Sequence, residues 1–281
     1  MPKPRPIRRR DLPGLARLLA WMDEDPSRRV LAPEGRTPEA LAHEVELGWV
    51  LEDEGELLGY VGLVPFWRGV ALEGPVSQVH PEPLLRTAIA AARAQGAETL
   101  YAFPTEENEA LRTALEAQGF GPVHTTTFFL APARDLGLMP PSGVELREAF
   151  DPEAYREVYR EADEGWSLRL SWTDEELAEH FAREENRLIL AYVGGRPVGM
   201  AELELDPPFA ELAYLGVVPA HRGRGIGQAL LSAALAAAGA AGAQAVRTRA
   251  HDHEKEALAL FRKLGFEPLE AVVTYAKELA P

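Results

Sequence analysis

The sequence predicts a mixed α/β fold, α+β-like, in which a central mixed sheet is flanked by helices, and it predicts that fold twice in tandem. Three observations carry this. Gly55 and Gly59 return as Gly195 and Gly199, each 140 residues later. Leu84-Leu85 through Gly96-Ala97 matches Leu230-Leu231 through Gly242-Ala243 at a spacing of 146, and Gly119-Phe120 matches Gly265-Phe266 at the same spacing. Both halves also run through their turn, strand and helix signals in one order, the mark of a duplicated unit. The Pro- and Gly-rich stretch 137–143 reads as a linker. It separates an N-terminal domain, 1–136, from a C-terminal domain, 144–281.

The elements follow from local signals. A short strand (Pro6–Arg9; Val144–Arg147) leads into a helix opened by Asp11 in the first half and by Asp151-Pro152 in the second, as N-cap and first-turn preferences dictate. A second helix starts at Thr37-Pro38-Glu39 and at Thr173-Asp174-Glu175. Apolar β-formers flanking Gly55 and Gly194-Gly195 predict two strand-turn-strand hairpins. A third strand, an alanine-rich helix, a strand, a helix closed by Gly-Phe and one or two last strands complete each half. The glycines at 119 and 265 sit where helix C-termini favour a left-handed residue.

Composition narrows the function. Of 281 residues, 46% are hydrophobic and 26% charged, an ordinary globular balance. The net charge of −15 opposes non-specific binding to nucleic acid, which depends on neutralising phosphates. It suits a cationic or amine substrate. The absence of cysteine removes disulfides, thiolate nucleophiles and Cys-based zinc sites. Asp11, Arg17 and Asp23 interrupt the apolar run after the basic N-terminus, so no secretory signal is expected. Ala229 to Val246, mostly alanine with glycines, reads as a buried helix rather than a membrane span. A cytoplasmic protein without nucleic-acid or membrane partners is expected.

The halves differ at one place. Only two residues separate Pro81 from Leu84, whereas ten separate Pro219 from Leu230. The second half therefore carries an extra loop containing Arg222-Gly223-Arg224-Gly225-Ile226-Gly227, set between a strand (Leu212–Val218) and a helix (Gln228–Gly239). Glycines let successive amides converge on an anion, and the following helix aims its N-terminus at the same place. Two arginines flank the cradle for phosphate oxygens. The loop lacks the Gly-Lys-Ser/Thr ending of a nucleoside-triphosphate loop, and it does not satisfy the spacing of a dinucleotide fingerprint. In the first half Glu82-Pro83 offers no such nest, and proline removes a donor.

From Leu215 to Gly227 the chain resembles the acyl-CoA signature of the GNAT superfamily of N-acetyltransferases. That signature is Q/R-x-x-G-x-G/A after a V-x-P strand end, met here by Arg222, Gly225 and Gly227. The stretch Ala257 to Phe266 resembles the superfamily's second CoA-contacting motif, and the element order of each half is that of the fold. The resemblance implies acetyl-CoA as co-substrate, with the backbone of Leu215 and Val217 pairing with its pantetheine arm. The amides of Arg222, Gly223, Arg224, Gly225, Ile226 and Gly227 would hold the pyrophosphate, and the helix from Ala257 to Phe261 would pack on the pantetheine's far side. By analogy the Val217 N–H would serve as oxyanion donor. Two departures stand out: Phe261 occupies a position that often carries a Tyr general acid, and Glu254 one that often carries Asn.

Acyl transfer to an amine needs an ammonium deprotonated and a thiolate reprotonated. Glu211 lies on an otherwise apolar strand, surroundings that raise a carboxylate's proton affinity. Period-two alternation places it with Ala213, Leu215 and Val217, and it is the candidate base, with Glu202 and Glu204 as alternatives. His251, His253 and Tyr214 are options for the acid, of which His253 is chosen. His251-Asp252-His253-Glu254 reads as a polar loop rather than a metal site. Trp166 and Trp172 are candidates for lining an acceptor pocket. The expected activity is acetyl transfer to the amine of a small molecule or peptide by the second half, in a monomer that mimics a dimer or in a homodimer. A catalytically silent acyl-CoA-binding or scaffold protein of the same fold is the alternative.

Overall fold

A computed structural model describes residues 3–67, 69–162 and 171–279. In the first half the chain runs β1 (Arg5–Pro6), α1 (Leu12–Asp23), α2 (Pro38–Glu44), β2 (Gly48–Asp53), β3 (Glu56–Phe66), β4 (Gly69–Ser77), α3 (Glu82–Ala94), β5 (Thr99–Ala102), α4 (Glu109–Ala117) and β6 (Gly121–Pro132). The second half repeats the order as β7 (Val144–Glu148), α5 (Pro152–Ala162), α6 (Asp174–Phe181), β8 (Asn186–Val193), β9 (Arg196–Asp206), β10 (Phe209–Val217), α7 (Ile226–Ala240), β11 (Ala245–His251), α8 (Lys255–Lys263) and β12 (Glu267–Glu278).

Most of the sequence's local signals act as their chemistry dictates. Glu54-Gly55 and Gly194-Gly195 all have positive φ, the geometry whose twist matches a two-residue hairpin. The hairpins β2–β3 and β8–β9 are antiparallel across these turns. Thr173 and Glu176 close a reciprocal capping box on α6, and Asp151 Oδ1 accepts from the Ala154 amide at the start of α5. Gly119 and Gly265 adopt positive φ, and the amides that follow reach back from Phe120 to the Leu115 carbonyl and from Phe266 to the Phe261 carbonyl. Asp11 differs. Its carboxylate does not cap α1 but accepts two hydrogen bonds from the Arg5 guanidinium, at 2.7 and 2.9 Å, and one from the Arg8 amide at 2.7 Å. A cationic fork is the stronger donor.

The chain forms two compact units that do not coincide with the sequence halves 1–136 and 144–281. The first comprises Met1–Thr127, His251–His253 and Glu270–Pro281, and the second Phe128–Ala250 and Glu254–Leu269. In the first unit the strand order is β1-β2-β3-β4-β5-β12-β6. Strand β12 pairs antiparallel with β5, with Tyr275 opposite Ala102 and Lys277 opposite Leu100. In the second unit the order is β6-β11-β10-β9-β8-β7, with the segment of β6 from Phe128 onward beside β11. Each unit is thus completed by the last strand of the other half. The linker 137–143 lies within the second unit.

The first unit's core gathers Leu15 and Leu19 of α1, Tyr60 of β3, Leu84 and Leu85 of α3, and Tyr275 of β12. The second unit's sheet is covered on both faces. One face packs Leu212, Leu230, Leu235, Phe261 and Phe129 beneath α7 and α8. The other packs Tyr155, Val158, Leu177, Leu190 and Met200 beneath α5 and α6. The alanine-rich segment is the buried helix α7, whose small side chains permit close approach: a Cβ on Gly239 would stand 2.5 Å from the Ala133 carbonyl oxygen. Among the described residues no helix is long and apolar enough to cross a membrane.

Candidate active site

The site in the second unit begins with a divergence of strands. β10 runs parallel to β11, yet only Phe209, Ala210 and Glu211 pair with it, opposite Ala245, Val246 and Arg247. On its other side β10 stays paired with β9 as far as Val217 opposite Gly199. The register shifts between Leu212 and Tyr214, so Ala213 is a bulge, and a bulge bends its strand. Beyond it the Val218 amide donates to the Val198 carbonyl on β9. Because backbone groups alternate sides along an antiparallel strand, those of Leu215 and Val217 point the opposite way, into the gap left by β11. This leaves the backbone of Leu215 and the N–H of Val217 facing the gap, at the residues expected to receive pantetheine, while the Val217 carbonyl accepts from Arg222 Nε at 2.9 Å.

The glycine loop follows at once. Gly223 and Gly225 have φ of +72° and +84°, a conformation that costs a residue with a Cβ about 1–2 kcal/mol. Gly225 precedes the helix, and the first helical bond runs from Ala229 to the Gly225 carbonyl. The amides of Ile226, Gly227 and Gln228 therefore stand ahead of the helical ladder at its positive end. Leu260 of α8 approaches from the side, its Cδ2 lying 3.4 Å from where a Cβ on Gly227 would sit. Arg224 is exposed. Arg222, expected beside phosphate, instead donates from Nε to the Val217 carbonyl at 2.9 Å and from Nη2 to the Ala162 carbonyl at 3.0 Å. A short loop leaves its guanidinium within reach of two carbonyls, and Ala162 ends α5, where cations are favoured.

The second motif lies where α8 begins. Glu254 precedes it without a side-chain cap, whereas Asn108 caps α4 through Leu111. Ala257 is half-buried. Phe261 is buried, its ring 5.7 Å from Phe129 and 5.4 Å from Phe266, so this position serves packing.

The bulge also changes the faces of β10. Leu212, Leu215 and Val217 pack on the α7 side, whereas Tyr214 joins the cluster under α5 and α6. Two-residue alternation from Glu211 across the bulge breaks, and Glu211 lies on the face away from Leu215 and Val217. It is exposed, not a carboxylate among apolar neighbours. It stands opposite Glu204 on β9 and Arg247 on β11. His253 is exposed and belongs to the first unit, near Asp252 and stacked on His251. There His251 meets Thr126 and His124 meets Thr274. Trp172 edges onto His180, and Trp166 lies outside the described residues.

One grouping passes unnoticed in the sequence. Glu202 has no exposed side-chain surface, and it meets His180 and Tyr155. Glu202 was a lesser candidate for the base; His180 and Tyr155 carry no local signal, because helix packing alone brings them there.

The first unit's counterpart is different. β4 and β5 also pair over only two residues, but the groove of about 510 Å³ between the start of α3 and α4 presents His80, Glu82 and Glu109. Glu82 stands at the start of α3, where the second unit has its nest of amides at the start of α7, and Glu109 stands at the start of α4.

Known proteins resemble this chain in sequence and in fold. Residues 151–266 match the family described as Acetyltransferase (GNAT) family. Over 137 residues the chain is 33% identical to a mycothiol acetyltransferase of Saccharomonospora viridis, covering 46% of this chain and 39% of that protein. Over 127 residues it is 29% identical to an uncharacterised N-acetyltransferase of Methanocaldococcus jannaschii, covering 43% of this chain and 56% of that one. The chain thus spans less than two thirds of the length of either relative. A GCN5-related N-acetyltransferase from Sphaerobacter thermophilus has a similar structure, with a TM-score of 0.74 at 21% identity over 99% of this chain and 96% of that one. A tandem GNAT protein from the clavulanic acid biosynthesis pathway gives 0.66 at 18% identity over 100% and 99%. At these identities the structural likeness is one of fold, over the whole chain. Residues 151–266 thus match the GNAT acetyltransferase family, and the chain as a whole has the fold of tandem GNAT proteins.

Proposed function

We propose that the protein is an acetyl-CoA-dependent N-acetyltransferase whose active site lies in the second unit, with the first unit structural. The observation that carries this reading is the junction of a strand edge that β11 leaves uncovered at Leu215 and Val217 with the glycine nest at the start of α7. One feature suits a thioester arm and the other a pyrophosphate, and they are consecutive in the chain. The first unit has Glu82 at the matching place and Glu109 across the same groove, carboxylates unsuited to such an anionic ligand. In this reading the Val217 N–H donates to the thioester oxygen as negative charge develops on it. The acceptor is the amine of a small molecule or peptide. Glu211, exposed on the opposite face of β10, is the carboxylate that an incoming ammonium meets first, and deprotonation falls to a carboxylate of that face. Phe261 has no proton to give, which favours departure of the thiolate without an acid from α8.

The buried Phe261 also favours a second reading, a silent acyl-CoA-binding scaffold. Calorimetric titration with acetyl-CoA on the protein and on Gly225→Glu tests the binding, with one site per chain expected and loss in the variant. Two sites would overturn the structural role of the first unit, and no binding would overturn both readings. Thiol release with a panel of primary amines then separates enzyme from scaffold.

A further inference from the structure

Strand β11 turns its two faces to different surroundings. Val246 and Ala250 are buried beneath α7 and α8, so the residues at 247 and 249 stand on the opposite face of the sheet, with Glu211. Arg247 and Arg249 are both exposed there. The Arg247 guanidinium lies over the Phe209 ring, 3.8 Å from its centroid. Among the described residues neither arginine has an ion pair or a hydrogen-bond partner, although Glu211 stands beside Arg247 and the chain carries a net charge of −15.

The first unit shows that the fold does not require them. At the repeat's spacing of 146, Tyr101 and Phe103 stand where the second half has Arg247 and Arg249. Both pack edge-on against Phe66, with ring centroids 5.1 Å apart. The neighbours Ala71 and Tyr101 of β4 and β5 become Glu211 and Arg247 in β10 and β11. Aromatic packing is thus exchanged for unpaired positive charge in the half that carries the glycine nest.

Position decides what that charge meets. β11 pairs with β10 as far as Arg247 beside Glu211, and Thr248 Oγ1 still reaches the Leu212 carbonyl at 3.3 Å. Beyond this the strands part, and Arg249 is the next residue, at the mouth of the gap that Leu215 and Val217 face. We propose that Arg249, backed by Arg247, is a specificity-determining residue that takes an anionic group of the acceptor, a carboxylate or a phosphate. The substrates are then amines that also carry a negative charge. This rests on the acetyltransferase reading. A guanidinium meets either group with two parallel N–H donors, and the Phe209 ring steadies Arg247 beside it. From Leu212 to Val217 β10 advances about 13 Å, with Ala213 absorbed in the bulge. An arginine side chain covers part of that, and the acceptor spans the rest. Amine and anionic group are therefore several bonds apart, as in ω-amino acids and short peptides rather than α-amino acids.

The test compares ε-aminocaproate, aminopropyl phosphate, the amide of ε-aminocaproate and cadaverine as acceptors, with thiol release from acetyl-CoA as the readout. An anionic acceptor is expected to exceed the amide in kcat/KM by about ten- to a hundredfold, with the difference in KM. The faster of the two anionic acceptors identifies the group. Arg249→Gln should abolish the preference by raising KM for the anionic acceptor alone. Arg249→Lys should restore part of it, and Arg249→Glu should turn it toward cadaverine. Calorimetric titration of N-acetyl-ε-aminocaproate into the protein with CoA should show the same dependence on Arg249 without turnover. Circular dichroism and acetyl-CoA titration of each variant separate misfolding from these effects. Equal losses on anionic acceptor and amide would overturn the proposal, as would a parent protein that prefers the amide or cadaverine. If the parent binds acetyl-CoA but acetylates no amine, the acetyltransferase reading falls. The anion site then stands only if the acetylated acid still binds through Arg249, and falls otherwise.

Discussion

Arg222 holds the Val217 carbonyl at 2.9 Å, tying the first residue of the glycine loop to the end of the strand that precedes it. A second bond, to the Ala162 carbonyl at 3.0 Å, ties the same guanidinium to the end of α5. The arginine shapes the nest, and the amides bind the anion. Arg222→Ala is therefore expected to weaken acetyl-CoA binding about tenfold or more through loss of the loop's geometry. Arg222→Lys, which keeps the charge but not the fork, should rescue little of it. Titration of acetyl-CoA against both variants checks this, and full rescue by lysine would show that charge alone matters.

The loop glycines are not equivalent. Gly225 has φ of +84°, so Gly225→Ala carries left-handed strain of about 1–2 kcal/mol. Gly227 is helical, and an added methyl would meet Leu260 Cδ2 at 3.4 Å, ordinary contact. Gly225→Ala should thus lower the melting temperature, whereas Gly227→Ala should leave it nearly unchanged. If Gly227→Ala nonetheless loses acetyl-CoA affinity, its amide is approached closely by the ligand. Thermal melts and titration of the two variants together give both answers.

These sites were unequally legible in the sequence. The loop was legible because its three glycines interrupt a strand-to-helix passage that the other half completes without them. The hairpins, α6 and the Gly-Phe helix ends were legible because single residues there satisfy backbone groups locally. The faces of β10 were not, since Ala213 bulges without Gly or Pro to mark it, and one added residue reverses every side chain beyond. Asp11 misled because Arg5, six residues earlier, outcompetes the amides of α1. The partnership of His180 and Glu202 is set by packing across 22 positions, which no local pattern encodes.

The Arg5–Asp11 pair carries a pH signature. The Arg5 guanidinium, with help from the Arg8 amide, holds the Asp11 carboxyl below the usual aspartate range. A carboxyl whose pKa is depressed in the folded state contributes stability that is complete above its unfolded value, about 3.9, and is lost as the pH falls through the folded one. Melting temperature should fall below about pH 4 more steeply in the parent protein than in Asp11→Asn. At neutral pH Asp11→Asn should cost about 1–3 kcal/mol, because it replaces a charged acceptor in a part-buried pair. Melts between pH 2.5 and 7 check both, and parallel pH slopes would sink the assignment.

The exchange of last strands makes a sharper demand on the first unit. β5 is bordered by β4 over two residue pairs and by β12 over four, so the chain's final strand supplies most of its pairing. β12 also brings Val273 and Tyr275 into that core, and Leu279 follows just after it. Its Tyr275 hydroxyl donates to Glu116 of α4 at 2.8 Å. A fragment ending at residue 136 retains β6 but lacks these contacts, and burying a large side chain such as Tyr275 is worth a few kcal/mol. That is a large share of the about 5–15 kcal/mol by which a domain is stable. Residues 3–136 alone should therefore be unfolded or associate, and should become monomeric and cooperative in melting when 270–279 is appended through a flexible linker. Size-exclusion chromatography and a melt of the two fragments decide it. A cooperative monomer from 3–136 alone would mean that β6 can take the place of β12 beside β5, as expected if the two last strands remain interchangeable copies.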